Sequence, residues 1–262
     1  MLENDFGRST ASTHIVGFYP AALNLELLKL RGNMVVVVQT DPIVPPGLLI
    51  ELAHCSRIAL RIVQLFAGDH LGELENATAV IVLGGTMSVK DVTEFPFLLP
   101  LKERIKNLVS RDMPYLGICL GGQLLAEVLG GAVHLQKCGE KGCQDIVLTE
   151  SGVSDPLFAG VSRRFISFQW HSDCFEPPPG ALHLARSHAC PYQAFRWGTR
   201  AYGLQFHPEV TREIVLEWSE ELGDGREDVI DAFTAKEASY RSMSLTILNN
   251  FFLKFSRCRP GQ

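Results

Sequence analysis

Pro114-Tyr115-Leu116-Gly117-Ile118-Cys119-Leu120-Gly121-Gly122-Gln123 is the segment on which the fold turns. It opens as a short apolar run suited to a buried strand, and from Gln123 to Leu129 it reads as an amphipathic helix. Between the two lies a cysteine, with Gly117 and Gly121 two positions away on either side. A strand that feeds directly into a helix turns sharply, which lifts the side chain at the turn clear of the sheet, and small neighbours relieve the crowding. The helix N-terminus behind Cys119 offers unpaired N–H groups and a partial positive charge, and both favour a thiolate. The same glycines would also suit tight packing around an inert cysteine, because free cysteine is among the most buried residue types. The rest of the chain has to decide between these readings.

Upstream, Met34–Val38 is a continuous β-branched run of the kind found in strands buried on both faces. Ile58–Phe66 and Ala79–Leu83 are further strand candidates, and Phe97–Arg111 is the clearest helix. Strands alternating with helices predict βαβ units and a mainly parallel sheet. Downstream the rhythm changes. Segments 144–149, 164–170, 181–187 and 201–206 are strand-like, separated by turns such as Glu176-Pro177-Pro178-Pro179-Gly180, and helices are expected over 211–222 and 227–254. The Phe251–Phe255 cluster fits the apolar face of the last helix. With no repeat, low-complexity tract or long linker, residues 34–262 read as one domain behind an N-terminal extension of residues 1–33. That extension mixes polar and apolar residues around Pro20 and is expected to be loosely held. Leu23, Leu27 and Leu30, at helical spacing, would allow a helix on the sheet edge instead.

Composition narrows the function classes. The chain has 262 residues, 46% hydrophobic and 20% charged, which is enough for a sizeable core. Net charge is −5, and no lysine or arginine block stands out, so neither nucleic acid nor an anionic membrane is an expected partner. No apolar run reaches the ~18 residues of a membrane span. Seven cysteines, an odd count at irregular spacing, do not resemble a secreted disulfide framework. Acids at Glu3 and Asp5 stand where a signal peptide would place positive charge, so the cytoplasm is the expected compartment. Cys138 and Cys143 are spaced C-x₄-C, with Cys174 and Cys190 further along. A zinc site would want closer pairs, so no metal and no cofactor are expected.

Two more segments bear on chemistry. Tyr202-Gly203-Leu204-Gln205-Phe206-His207-Pro208-Glu209 delivers a histidine from a strand, with a carboxylate two residues on. Imidazole titrates near working pH, and a carboxylate on its other nitrogen would fix the tautomer, although an isolated His-x-Glu is often only a surface pair. Val82-Leu83-Gly84-Gly85-Thr86 ends a strand on two glycines, where exposed N–H groups could hold the oxyanion formed when a thiolate attacks a carbonyl. An ordinary tight turn has the same composition. His171, in Trp170-His171-Ser172-Asp173, lacks a His-x-Glu partner and reads as wall of the site.

Taken together, the strand–Gly-Gly, strand–Cys–helix and strand–His-x-Glu segments resemble the triad-type class I glutamine amidotransferases. Gly-Ile-Cys-Leu-Gly-Gly-Gln and Phe-His-Pro-Glu are similar to that family's nucleophile and histidine motifs, and the resemblance spans residues 34–222. Trp170–Asp173 and Gln193–Arg196 are most similar to the stand-alone, GMP synthase-like branch. The resemblance implies a flavodoxin-like three-layer α/β sandwich around a central, mostly parallel sheet, with the site at the C-terminal strand ends. It implies that glutamine is hydrolysed to glutamate and ammonia through a γ-glutamyl thioester on Cys119, with His207 as base and Glu209 orienting it. Gly85 and Leu120 would supply oxyanion N–H groups, Gln123 would contact glutamine, and Ser172 and Asp173 would lie beside its amino-acid end. Gly122 stands where the GMP synthase glutaminase often has histidine, and Thr86 where it often has proline. The pyrophosphatase motif Ser-Gly-Gly-x-Asp-Ser is missing, and the roughly 40 residues after residue 222, where the resemblance ends, are too few for a synthetase domain. The expected partner is therefore a separate ammonia-accepting synthetase subunit, or none. The alternative is a γ-glutamyl peptidase or hydrolase with the same triad, and a non-catalytic binding module is a third reading.

Overall fold

A computed structural model describes residues 34–255; the extension assigned to residues 1–33 lies outside them. The chain opens with β1 (Met34–Gln39), α1 (Leu48–Ser56), β2 (Ala59–Gln64), β3 (Ala79–Val82) and α2 (Leu98–Ser110). It continues through β4 (Tyr115–Ile118), α3 (Leu120–Val128), β5 (Ala132–His134), β6 (Glu140–Leu148) and the one-turn α4 (Glu150–Val153). After β7 (Arg164–His171), β8 (Cys174–Glu176), β9 (Leu182–Arg186), β10 (Ala194–Trp197) and β11 (Ala201–Leu204), it closes with α5 (Arg212–Trp218) and α6 (Arg226–Phe255).

The main sheet has the order β2-β1-β3-β4-β11-β10-β9-β6-β7. β2, β1, β3, β4 and β11 run parallel, and the remaining four strands extend the sheet in antiparallel pairs. The unbroken valine run of β1 reflects helices on both faces. Val35 and Val37 belong to one buried cluster with Leu48, Leu49 and Leu52 of α1, Trp218 of α5 and Phe233 of α6. Val36 and Val38 belong to the other, with Leu101 and Ile105 of α2 and Leu124 and Leu125 of α3. The result is a three-layer α/β sandwich.

The expected strand over 58–66 is β2, the helix over 97–111 is α2, and Phe251 and Phe252 are fully buried on α6. β10 is an addition: four residues between two turns are too short to stand out from periodicity. The helix expected over 211–222 stops at Trp218 and gives way to a 3₁₀ stretch, Ser219–Gly225, in which Gly223 takes a positive φ of 56°. Among the described residues, no helix is long and apolar enough to cross a membrane.

Candidate active site

Register brings the chemistry together. Val38 of β1 pairs with Val82 of β3, Val82 with Gly117 of β4, and Gly117 with Gly203 of β11. Four adjacent parallel strands therefore end at one level, and their ends lead into Thr40-Asp41, Gly84-Gly85, Cys119 and Gln205–His207 respectively.

Cys119 is the N-cap of α3, with φ 48° and ψ −107°. A non-glycine residue in this region is strained, and it is held there by its own N–H donating to Leu204 O at 2.8 Å and by its carbonyl accepting from Gln123 N at 2.9 Å. The flanking glycines are required sterically. A Cβ on Gly117 would stand 2.3 Å from the Gly121 carbonyl, and one on Gly121 would stand 2.1 Å from Val82 O. The turn is thus wedged between its own helix and β3.

His207 is buried and fixed from three sides. Its N–H donates to Phe168 O at 2.8 Å, its carbonyl accepts from the Tyr240 hydroxyl at 2.9 Å, and its ring meets Trp218 edge to face at 5.0 Å. Nδ1 lies 2.7 Å from Glu209 Oε1. Since a carboxylate only accepts, the proton sits on Nδ1, and the other nitrogen is left for chemistry. Burial opposes charging the ring, yet the Glu209 carboxylate and the Cys119 thiol outweigh it and raise His207 from its ordinary 6.5 to about 10. A Cβ placed on Gly84 would be 3.0 Å from His207 Cε1 and 3.5 Å from Cys119 Cβ, so cysteine and histidine face one another across a glycine.

Of the other residues singled out from sequence, Leu120 follows Cys119 and Gly85 lies against the Leu120 side chain, and their N–H groups have no hydrogen bond among the described residues. Gln123 is buried and donates through Nε2 to Asp173 O at 3.2 Å. The Asp173 carboxylate accepts from Gln136 N at 2.9 Å, so its backbone, not its charge, meets Gln123, while Ser172 is exposed. His171 has Nδ1 2.9 Å from Asp173 O and Nε2 3.4 Å from Glu140 Oε2, away from the Cys119–His207 pair. Arg196 pairs with buried Asp155 at 2.8 Å.

Several contributors are not legible in the sequence motifs. Gln205 is fully buried and directs Nε2 to Cys119 Sγ at 3.6 Å while its Oε1 receives Gln123 Nε2 at 3.4 Å. It lies just past the end of β11, between Leu204, whose carbonyl holds Cys119 N, and His207. Thr40 donates to Gly84 O at 2.6 Å, and Asp41 receives Thr86 N at 2.9 Å together with the Thr86 hydroxyl. These two pin the glycine loop, and no local pattern announced them. Burial pushes the Cys143 thiol up to about 11 and the Cys190 thiol up to about 12.

A parallel sheet carrying a cysteine on a strand-to-helix turn, facing a carboxylate-held histidine, defines a cysteine-dependent amidohydrolase class. Residues 49–214 match the family model for glutamine amidotransferase class-I. The chain belongs to the class I glutamine amidotransferase family. It is similar to the glutamine amidotransferase-like protein YfeJ of Salmonella typhimurium, 34% identical over 156 residues, covering 58% of this chain and 65% of that protein. It is also similar to one subunit of the glutamine-hydrolysing GMP synthase of Pyrococcus abyssi, 40% identical over 108 residues, covering 40% of this chain and 56% of that polypeptide. The glutamine-hydrolysing GMP synthase of Aeropyrum pernix is 34% identical over 165 residues, 60% of this chain and 30% of that enzyme. The chain thus spans less than two thirds of the length of each of these relatives. Among solved structures, a glutamine amidotransferase from Thermotoga maritima superposes with a TM-score of 0.76 at 26% identity, covering 84% of this chain and 98% of that one. One from Methylobacillus flagellatus gives a TM-score of 0.78 at 22% identity, covering 89% and 98% of the two chains, and speaks for the fold.

Proposed function

We propose that this protein hydrolyses the side-chain amide of glutamine, with Cys119 as nucleophile, His207 as acid and base, and Glu209 as the group that orients the histidine. The observation that carries this reading is the meeting, at the ends of β3, β4 and β11, of the Gly84-Gly85 loop, Cys119 in its strained turn and the His207–Glu209 pair at 2.7 Å. Cys119 passes its thiol proton to His207 and its sulfur attacks the amide carbon, and the oxyanion is held by the N–H groups of Gly85 and Leu120. His207 protonates the departing amine, so that ammonia leaves and a γ-glutamyl thioester remains. Water, deprotonated by His207, then cleaves the thioester to glutamate and restores the thiol. Gln123 contacts the bound glutamine, and the 171–173 segment forms the wall beside its amino-acid end. The partner this reading calls for is an ammonia-accepting synthetase, in keeping with the Pyrococcus relative being one subunit of a larger enzyme.

The test is release of free glutamate from glutamine and from γ-glutamyl dipeptides by the pure protein, with an electrophilic glutamine analogue as a covalent probe. Turnover of glutamine and labelling of Cys119 alone are expected. Preference for dipeptides would move the reading to a γ-glutamyl peptidase. Neither turnover nor labelling, with or without a synthetase partner, would leave a binding module.

A further inference from the structure

Three cysteines that the proposed reaction does not use converge from three separate segments. Cys138 lies in the loop between β5 and β6, Cys174 begins β8, and Cys190 lies between β9 and β10. Their Sγ atoms are all within 4.8 Å of one another, Cys174 and Cys190 buried and Cys138 half-buried. Cys143, the near neighbour of Cys138 in sequence, stands apart on β6 opposite Phe168. The C-x₄-C spacing therefore does not describe the grouping: Cys138 has Cys174 and Cys190 beside it, and Cys143 faces elsewhere.

We infer that Cys138, Cys174 and Cys190 form a three-thiolate site for a thiophilic cation, Zn²⁺ foremost. One buried cysteine is an ordinary small apolar residue, but convergence of three from different segments has no packing rationale that alanine or valine would not serve. Zn–S bonds of about 2.3 Å in a tetrahedron put sulfurs roughly 3.8 Å apart, so small rotations of the three side chains complete the set. Soft sulfur donors select zinc or copper(I) over magnesium or calcium. A disulfide would use two sulfurs and strand the third; a cation uses all three and leaves a fourth position for solvent or another ligand.

The surroundings already hold the sulfurs in place. His134 of β5 pairs with Cys174 of β8, which sets the 135–139 loop beside Cys174, and Gln136 N donates to Asp173 Oδ1 at 2.9 Å. The Cys190 turn is closed by Ser187 N donating to Cys190 O at 2.9 Å and by Cys190 N donating to Ser187 Oγ at 3.0 Å. The Cys190 thiol points at Tyr192 O, 3.5 Å away. A cation here would cross-link the loop, β8 and the 187–193 turn, and so brace Asp173, whose carbonyl receives Gln123. The site stands independently of the glutaminase reading, and only this bracing of the substrate wall depends on it.

The test is metal content of the full-length protein purified without chelator, followed by Co²⁺ exchange. One zinc per chain is expected, surviving dialysis against a mild chelator, and the cobalt form should show thiolate-to-metal charge-transfer absorption. Cys174→Ser and Cys190→Ser should lose both signals, whereas Cys55→Ser, which alters an exposed thiol of α1, should keep both. Should the serine variants fail to fold, the wild-type protein still decides: zinc should shield Cys138 from alkylation at least tenfold and leave Cys55 unchanged. The inference is overturned by equal alkylation with and without zinc, by zinc that dialyses away or persists in the variants (an adventitious ion only), or by a disulfide joining two of the three.

Discussion

Cys119 and His207 are held by opposite means. The cysteine sits in a strained backbone conformation fixed by main-chain hydrogen bonds, while the histidine is placed by side-chain burial and one short contact to Glu209. His207→Ala should lower glutamine turnover by about 10²-fold or more, as expected for loss of a general acid–base. Glu209→Gln should retain more activity, because the ring stays in place and loses only orientation and charge stabilisation. A greater loss in His171→Ala, measured as kcat/KM, would assign the general acid–base to His171 instead. Stability should track the same pair. A histidine raised above its unfolded value stabilises the fold fully below that value, and the contribution fades as pH climbs through the folded value, here about 10. Glu209→Gln should therefore melt furthest below wild type just below pH 6.5, with the gap narrowing from there toward pH 10. A gap that widened with rising pH would contradict the coupling.

At the scale of elements, the site depends on how closely α3 approaches β3. Gly121 permits that approach, since a methyl group there would overlap the backbone at Val82. Backbone cannot retreat as a flexible side chain can, so Gly121→Ala should destabilise by about 1–3 kcal/mol or more and displace Cys119 from Gly85. Denaturant midpoint and rate of Cys119 labelling would both report it. The long α6 reaches the same site from the other face. Its Tyr240 hydroxyl lies 2.9 Å from His207 O and 3.1 Å from Val210 O, a link between the last helix and the exit of β11. Tyr240→Phe leaves both buried carbonyls short of a donor, at about 1–3 kcal/mol in stability. A lower kcat with unchanged KM is expected, since the histidine backbone loosens while the substrate wall is untouched.

Across the whole molecule, α6 lies beyond residues 49–214, the part that matches the family model, yet it completes one of the two cores. Phe233, Tyr240, Leu248, Phe251 and Phe252 are buried by it. Truncation after Gly225 removes these side chains and exposes the Phe165, Phe168 and Trp218 cluster they cover, so it should yield insoluble protein. Removal of residues 1–20 touches no residue of the described core and should leave the melting temperature within a few degrees of wild type. Recovery in the soluble fraction and thermal melts of the two truncations would check both expectations.

Features written in consecutive residues are legible without the fold: the doubly buried β1, the Cys119 elbow, and a histidine with its carboxylate two positions on. Strand and helix periodicity act over a few residues, as do the steric demands of Gly117 and Gly121, so each is visible locally. Everything that depends on register between distant segments emerges only in the folded chain. Thr40, Asp41 and Gln205 reach the site because β1, β3, β4 and β11 end at one level, and Tyr240 reaches it because a helix far along the chain crosses the end of β11. Cys138 has Cys174 and Cys190 as its neighbours instead of Cys143, because β5 pairs with β8 and because alternate strand positions such as Cys143 face elsewhere. Spacing along the chain describes the distance between residues only within a single element; between elements, that distance is set by which strands pair and how the helices pack across them.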